Sequence, residues 1–301
     1  MHCVLWLGIK NSCNVQVKKV KRCVNKMDNV LLGVCVGDAL GAPLEFLRRL
    51  PTGDEIANAL LMKGGGIIGV HPGQVTDDSE MMLCLYKSIV TETDAFSLYK
   101  QWMYSGPIDM GTTTRRALNG IEPTYESQSN GALMRCAPIG VLYNKESDFF
   151  IAQKAIEDAS LTHANTNVKY ACACYCIAIA NCLNGRNGYK AAYKWLLNKA
   201  GYENVMEWLQ ESLDPDLDVH CLKNIGYIRW GFTLAFWHLN MKSKFLDAMI
   251  DTMKRGGDTD TNCAIVGGLV ASTQTVPPYL IYSVLHSQSD RPVWLHPKTY
   301  F

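Results

Sequence analysis

From Met27 onward, apolar residues recur at intervals of three and four, and no stretch sustains the period-two alternation and β-branched enrichment of a half-buried strand. Leu31, Leu32, Cys35 and Val36 follow the helical spacing, as do Met81, Met82, Leu85 and Ile89. The segments 151–160, 167–183, 189–199, 203–212, 225–239, 244–254 and 261–273 follow it too. Breakers stand between segments at Pro51-Thr52-Gly53, Gly64-Gly65-Gly66, His71-Pro72-Gly73, Asn184-Gly185, Asp214-Pro215 and Pro277-Pro278. The expected fold is all-α, a compact orthogonal helical bundle with functional loops at helix ends. No internal repeat or low-complexity linker divides 27–301, which is expected to form one domain.

Residues 1–26 differ in character. The basic run Lys18-Lys19-Val20-Lys21-Arg22 has no periodicity, and the segment is expected to be a poorly ordered extension. Over the whole chain, 29 Lys and Arg balance 28 Asp and Glu, so no global field favours nucleic acid or an anionic membrane. Any anionic ligand must be held locally. The apolar stretch Val4 to Ile9 precedes its positive charges, the reverse of a secretory signal. The run Tyr170 to Leu183 falls short of the ~18 residues of a spanning helix, and no membrane segment is expected. Twelve cysteines in 301 residues are too sparse for a disulfide scaffold. Several lie in helical apolar stretches, which points to reduced thiols and a cytoplasmic location.

Two acidic motifs each precede an apolar helix: Thr76-Asp77-Asp78-Ser79, and Gly256-Gly257-Asp258-Thr259-Asp260-Thr261. Helix starts favour oxygen groups through their free N–H donors and macrodipole. Simple N-capping would account for one acceptor in each motif. Each offers two carboxylates and at least one hydroxyl, a hard-oxygen set suited to Mg²⁺, Mn²⁺ or Ca²⁺. If the motifs converge, joined by Glu45 from Gly41-Ala42-Pro43-Leu44-Glu45, the like charges need cations, and two divalent ions are the natural solution. Ala264, Gly267, Gly268 and Ala271 leave the second helix with little side-chain bulk, so another backbone can approach it closely.

With these motifs the sequence resembles the ADP-ribosylglycohydrolases, the family of dinitrogenase reductase-activating glycohydrolase and the vertebrate ADP-ribosylhydrolases. The resemblance covers 27–301 and rests on Gly33-Val34-Cys35-Val36-Gly37-Asp38-Ala39-Leu40-Gly41, the two acidic motifs, Asn130-Gly131-Ala132-Leu133-Met134-Arg135, Thr162-His163 and Arg291-Pro292-Val293-Trp294-Leu295. It implies a binuclear Mg²⁺ or Mn²⁺ cleft at helix N-termini. Thr76, Asp77 and Asp78 match the first ligand set, and Asp258, Asp260 and Thr261 the second. Glu45 matches an acidic residue tied to metal binding or acid/base chemistry, and Asp77, Asp78 and Asp260 share in the catalytic centre. Asn130, Gly131, Ala132, Met134 and His163 match positions around the ADP-ribose, while Arg135 pairs with a site carboxylate or meets phosphate.

The implied activity is cleavage of the glycosidic or ester bond between ADP-ribose and an acceptor, an ADP-ribosylated protein or a small molecule. Nucleic acid is expected only as an ADP-ribosylated substrate. The family also includes lens crystallins, so a non-catalytic ADP-ribose-binding or structural relative is the alternative. A phosphoesterase would use a similar pair of metals. Cys172, Cys174 and Cys176 do not form a zinc site, because odd positions on one helix diverge by about 200°. Gly64-Gly65-Gly66 lacks the Gly-Lys-Ser/Thr of a phosphate loop. Trp195, Trp208, Trp230 and Trp237 are expected to pack helices.

Overall fold

A computed structural model describes residues 24–301, and the basic run at 18–22 lies outside them. The described residues form fourteen α-helices and no β-strand. In chain order these are α1 (Lys26–Gly41), α2 (Gly53–Leu60), α3 (Asp77–Thr91), α4 (Ala95–Tyr104), α5 (Thr112–Leu118), α6 (Ala137–Leu142), α7 (Asp148–Ser160), α8 (Thr166–Leu183), α9 (Gly188–Leu196), α10 (Glu203–Glu211), α11 (Ile228–Asn240), α12 (Phe245–Lys254), α13 (Thr259–Ala271) and α14 (Pro278–Leu285). A 3-10 turn, Ala42–Leu44, follows α1 and delivers Glu45.

The seven segments marked by periodicity correspond to α7 to α13. The helices α2, α4, α5, α6 and α14 lie outside those segments; all but the ten-residue α4 span eight residues or fewer, too few to repeat an apolar spacing. Two of the presumed breakers start helices. Thr52 accepts from Glu55 N and Glu55 reaches back to Thr52 N, a capping box that opens α2. Pro278 begins α14, where its missing N–H has no intrahelical partner to lose.

The centre of the fold is the pair α1 and α13. Every residue of α13 is buried, as is α1 from Asn29 to Gly41, so both helices are enclosed all round instead of along one stripe. They run antiparallel with their backbones in contact. A Cβ on Gly37 would lie 2.0 Å from the Cys263 carbonyl oxygen, and one on Gly41 2.2 Å from that of Thr259. At the far end Gly33 and Gly267 face each other in the same way. Gly268 points elsewhere, under the Tyr175 hydroxyl of α8.

Lys26–Leu44 is long and apolar enough to cross a membrane, which the sequence reading considered only for Tyr170–Leu183. It is 83% buried inside the protein, as befits a core helix. The nine cysteines of the described residues are all free and buried. Trp208 is in the core, whereas Trp230 and Trp237 tie loops by donating to the Lys223 and Asp214 carbonyls.

The seam sets a stability test. G37A must push α13 away and is expected to cost at least about 1–3 kcal/mol in urea unfolding. G53A meets nothing within 4 Å and is expected to stay within about 0.5 kcal/mol of wild type. Equal effects would show that the seam is not the tight contact described.

Candidate functional site

The antiparallel seam puts the start of α13 beside the end of α1. Thr259 Oγ1 donates to the Gly41 carbonyl at 2.9 Å, which locks the two ends together. The turn into α13 uses Gly257 at φ 77°, where a Cβ would also strike the Cys221 carbonyl at 2.2 Å. Asp258 stands at the N-cap position yet makes no capping bond. Its Oδ2 instead accepts from Asn130 Nδ2 at 2.7 Å. Asp260 Oδ1 accepts from Thr261 N at 2.8 Å.

The start of α3 is organised from outside. Thr76 is the N-cap residue, but its side chain does not cap the helix. Asp38 of α1 performs that task from across the core: its carboxylate accepts from Thr76 N at 2.9 Å, Ser79 N at 3.1 Å, Thr76 Oγ1 at 2.8 Å and Ser79 Oγ at 2.5 Å. Simple capping by the motif's own residues therefore fails at both helix starts. Thr76 Oγ1 also lies 3.1 Å from Asp78 Oδ2. Nothing local in the sequence links Asp38, inside the Gly33–Gly41 motif, to a segment 38 residues away.

The two motifs and Glu45 converge. Ligand atoms of Glu45, Asp258 and Asp260 all lie within 4.8 Å of one another. Asp78 lies within the fields of Asp77, Asp258 and Glu45, and Asp77 within those of Asp258 and Asp109. Asp109, in the loop before α5, was missed by the sequence reading, since a lone Asp in a loop carries no spacing signal. Arg291 holds this loop's start: it donates to the Ser105 and Gly106 carbonyls while forming a bidentate pair with Glu80 in the first turn of α3.

The electrostatics are those of crowded, desolvated carboxylates. Burial, then the Asp109 field, raises Asp77 well above the usual carboxylate range; burial and neighbouring carboxylates do the same for Asp78 and Asp260. Burial pushes Glu45 up to about 9 and Asp38 up to about 6. Ligand oxygens of Glu45 and Asp260 lie within 4.8 Å of each other, and the Glu45 charge helps to raise Asp260. Glu45 Oε2 and Asp78 Oδ1 are buried without any hydrogen-bond partner. Partnerless buried oxygens within an all-oxygen donor set fit hard divalent cations, which would supply both the missing ligation and the missing charge.

Around Asn130 the placement is mixed. Ala132 and Met134 are buried in the hydrophobic core, so only their backbone could face a ligand, while Gly131 keeps some exposure. The N–H groups of Leu133 and Met134 are spent on the Asn130 carbonyl. Arg135 meets neither acidic motif: fully buried, it donates to Asp158 Oδ2 at 3.0 Å and Thr162 Oγ1 at 2.9 Å, and lies over the Tyr99 ring. His163 is likewise enclosed, with Nδ1 2.8 Å from Thr162 Oγ1 and Nε2 2.8 Å from Ser129 Oγ. Burial and the Arg135 charge push it down to about 3, so the ring is neutral. Both ring nitrogens are occupied by protein, so that His163 braces the Ser129-Asn130 segment.

Residues 21–277 match the model of a family described as ADP-ribosylglycohydrolase. The ADP-ribosyl-dinitrogen reductase glycohydrolase of Rhodospirillum rubrum is 28% identical, with 81% of this chain and 84% of that protein covered. An ADP-ribosylarginine hydrolase of Pseudomonas putida is 26% identical, over 89% of this chain and 76% of its own length. A solved structure described as an ADP-ribosylglycohydrolase-related protein complex superposes with a TM-score of 0.69 at 26% identity, covering 86% of this chain and 92% of the other.

The shifts fix the sign of a pH dependence. Glu45, raised from 4.5 to about 9, contributes stability that is full below 4.5 and lost as pH rises through about 9; Asp77, Asp78 and Asp260 act in the same direction. His163, lowered from 6.5 to about 3, contributes stability that is present above 6.5 and lost as pH falls through about 3. Without cations, the melting temperature is therefore expected to fall as pH rises from 6.5 to 9. Added Mn²⁺ should restore it, more strongly at higher pH. A melting temperature in EDTA that rises over this range would contradict the crowded cluster.

Proposed function

Because this chain belongs to the ADP-ribosylglycohydrolase family and its named relatives are hydrolases, we propose that it uses two divalent cations, Mg²⁺ or Mn²⁺, to release ADP-ribose from an acceptor. The observation that carries this reading is the convergence of Glu45, Asp258 and Asp260 beside Asp78, with Glu45 Oε2 and Asp78 Oδ1 left partnerless. Thr76, Asp77 and Asp78 from α3, with Asp258, Asp260 and Thr261 from α13, are the residues proposed to hold the cations. When bound, these supply Lewis-acid activation at oxygen and a grip on the ribose hydroxyls.

The chain's own groups have distinct tasks. Asn130 fixes the orientation of Asp258, and the neutral His163 holds the adjacent Ser129 in place. Glu45, whose carboxyl burial pushes up to about 9, holds a proton at neutral pH and is the group proposed to deliver it to the departing acceptor atom. Asp77 and Asp78, in the first turn of α3, are the proposed acceptors of the proton that the attacking water gives up. Gly131 is the exposed point of the Asn130–Arg135 segment and its best candidate for meeting ADP-ribose through backbone N–H.

The named relatives act on ADP-ribosylarginine and on ADP-ribosylated dinitrogen reductase, so an arginine-linked protein substrate is the first to test. A non-catalytic relative would have no need of partnerless buried carboxylate oxygens. ADP-ribose release should be measured across arginine, serine, DNA and O-acetyl linkages, with Mg²⁺, Mn²⁺ and EDTA compared. Release with a divalent cation and none in EDTA is expected. D258A and D260A should each lower the rate by at least about a hundredfold, the scale at which general acid–base and electrostatic groups act, with helical circular dichroism retained. Full activity in either variant, or in EDTA, would reject the assignment.

A further inference from the structure

Thr76 has one hydroxyl proton and two carboxylates within reach of it. Asp38 Oδ1 lies at 2.8 Å and Asp78 Oδ2 at 3.1 Å. The recipient of that proton decides what remains available to a cation. If Asp38 takes it, the Thr76 oxygen keeps its lone pairs and the Asp78 carboxylate stays uncommitted. If Asp78 takes it, part of its acceptor capacity is spent inside the protein.

The surroundings of Asp38 commit it to the first arrangement. Its Oδ2 accepts three bonds, from Thr76 N, Ser79 N and Ser79 Oγ, and so pins the carboxylate with Oδ1 turned towards the Thr76 hydroxyl. Asp38 is fully buried on α1, between Gly37 and Gly41. The other oxygen of Asp78, Oδ1, is buried with no partner at all. A carboxylate with so little protein ligation, beside a threonine whose proton points away from it, is a pair of acceptors held open.

We propose that Asp38 is a positioning residue for the divalent-cation site: it caps α3 from another helix and draws off the Thr76 hydroxyl proton, so that Thr76 and Asp78 both present free oxygen acceptors. This inference rests on the two-cation reading above.

The test substitutes one atom. In D38N the amide oxygen can take the place of Oδ2 and keep the Thr76 N, Ser79 N and Ser79 Oγ contacts, while the amide NH₂ stands where Oδ1 was and donates to Thr76 Oγ1. The Thr76 hydroxyl then turns its proton onto Asp78. Binding of Mn²⁺ alone is measured by calorimetry on wild type, D38N and S79A, together with melting temperature in EDTA. D38N is expected to remain folded and to bind Mn²⁺ about tenfold more weakly or worse, the usual consequence of disturbing a partner that orients metal ligands. Its ADP-ribose release should recover as Mn²⁺ is raised to saturation. S79A removes one of the bonds on Asp38 Oδ2 but leaves Oδ1 an acceptor for the Thr76 hydroxyl, and should weaken Mn²⁺ binding by less than about threefold, clearly less than D38N.

Wild-type Mn²⁺ affinity in a folded D38N would overturn the proposal while leaving the two-cation reading intact. Failure of D38N to fold would also overturn it, by showing that Asp38 serves the fold instead of the cation site. No Mn²⁺ binding by the wild-type chain would remove both readings together.

Discussion

Backbone contact between α1 and α13 is the constraint on which the site depends. With Gly37 against the Cys263 carbonyl and Gly41 against that of Thr259, the helices approach to a distance that any side chain would prevent. Because they run antiparallel, the end of one and the start of the other are forced together. Glu45, just beyond α1, thereby meets Asp258 and Asp260 at the head of α13. The acidic centre is thus a consequence of helix packing, and its precision is inherited from a contact that allows almost no slack.

The same helix aligns the second half of the site. Asp38 reaches from α1 to the head of α3 and satisfies its backbone donors, a task that Thr76 would perform in an isolated helix. Assigning that task to a remote residue leaves the first-turn carboxylates of α3 free of it. At α13 the equivalent economy comes from Asn130, which orients Asp258 from the side. Around these lies a shell of buried pairs, Arg135 with Asp158 and Arg291 with Glu80, that fixes the surrounding loops without supplying charge to the centre. The centre therefore keeps an excess of negative charge, and its carboxylates are held above their ordinary range. Such an arrangement is costly for a protein alone and is best understood as one half of a structure that cations complete.

How far the residues could be interpreted in advance depended on the range of the interaction. The helices α7 to α13 were visible through their apolar spacing; α2, α5, α6 and α14, of eight residues or fewer, were not, since so short a helix barely repeats, and neither was the ten-residue α4. Glu45 and the two acidic motifs could be named because each is locally dense in oxygen donors. Asp109 and Asp38 could not, as each is a single carboxylate whose importance lies in what packs against it. Arg135 and His163 show a different limit. Polar residues in a recognisable motif invite assignment to a ligand, yet burial turned one towards Asp158 and enclosed the other between Thr162 and Ser129.

By itself the sequence determined the all-α class, through a spacing set by 3.6 residues per turn, and the chemical nature of the centre, through residue types whose oxygens prefer hard cations. It also contained the means of assembly in Gly33, Gly37, Gly41 and Gly267, although small residues alone do not state their partner. Only the tertiary structure decided which carboxylates meet, which of them retain unpartnered oxygens, and which polar groups are consumed as internal braces. Those outcomes depend on contacts between residues far apart in sequence, such as the Thr259–Gly41 bond across 218 positions, and local patterning carries no information about distances of that kind.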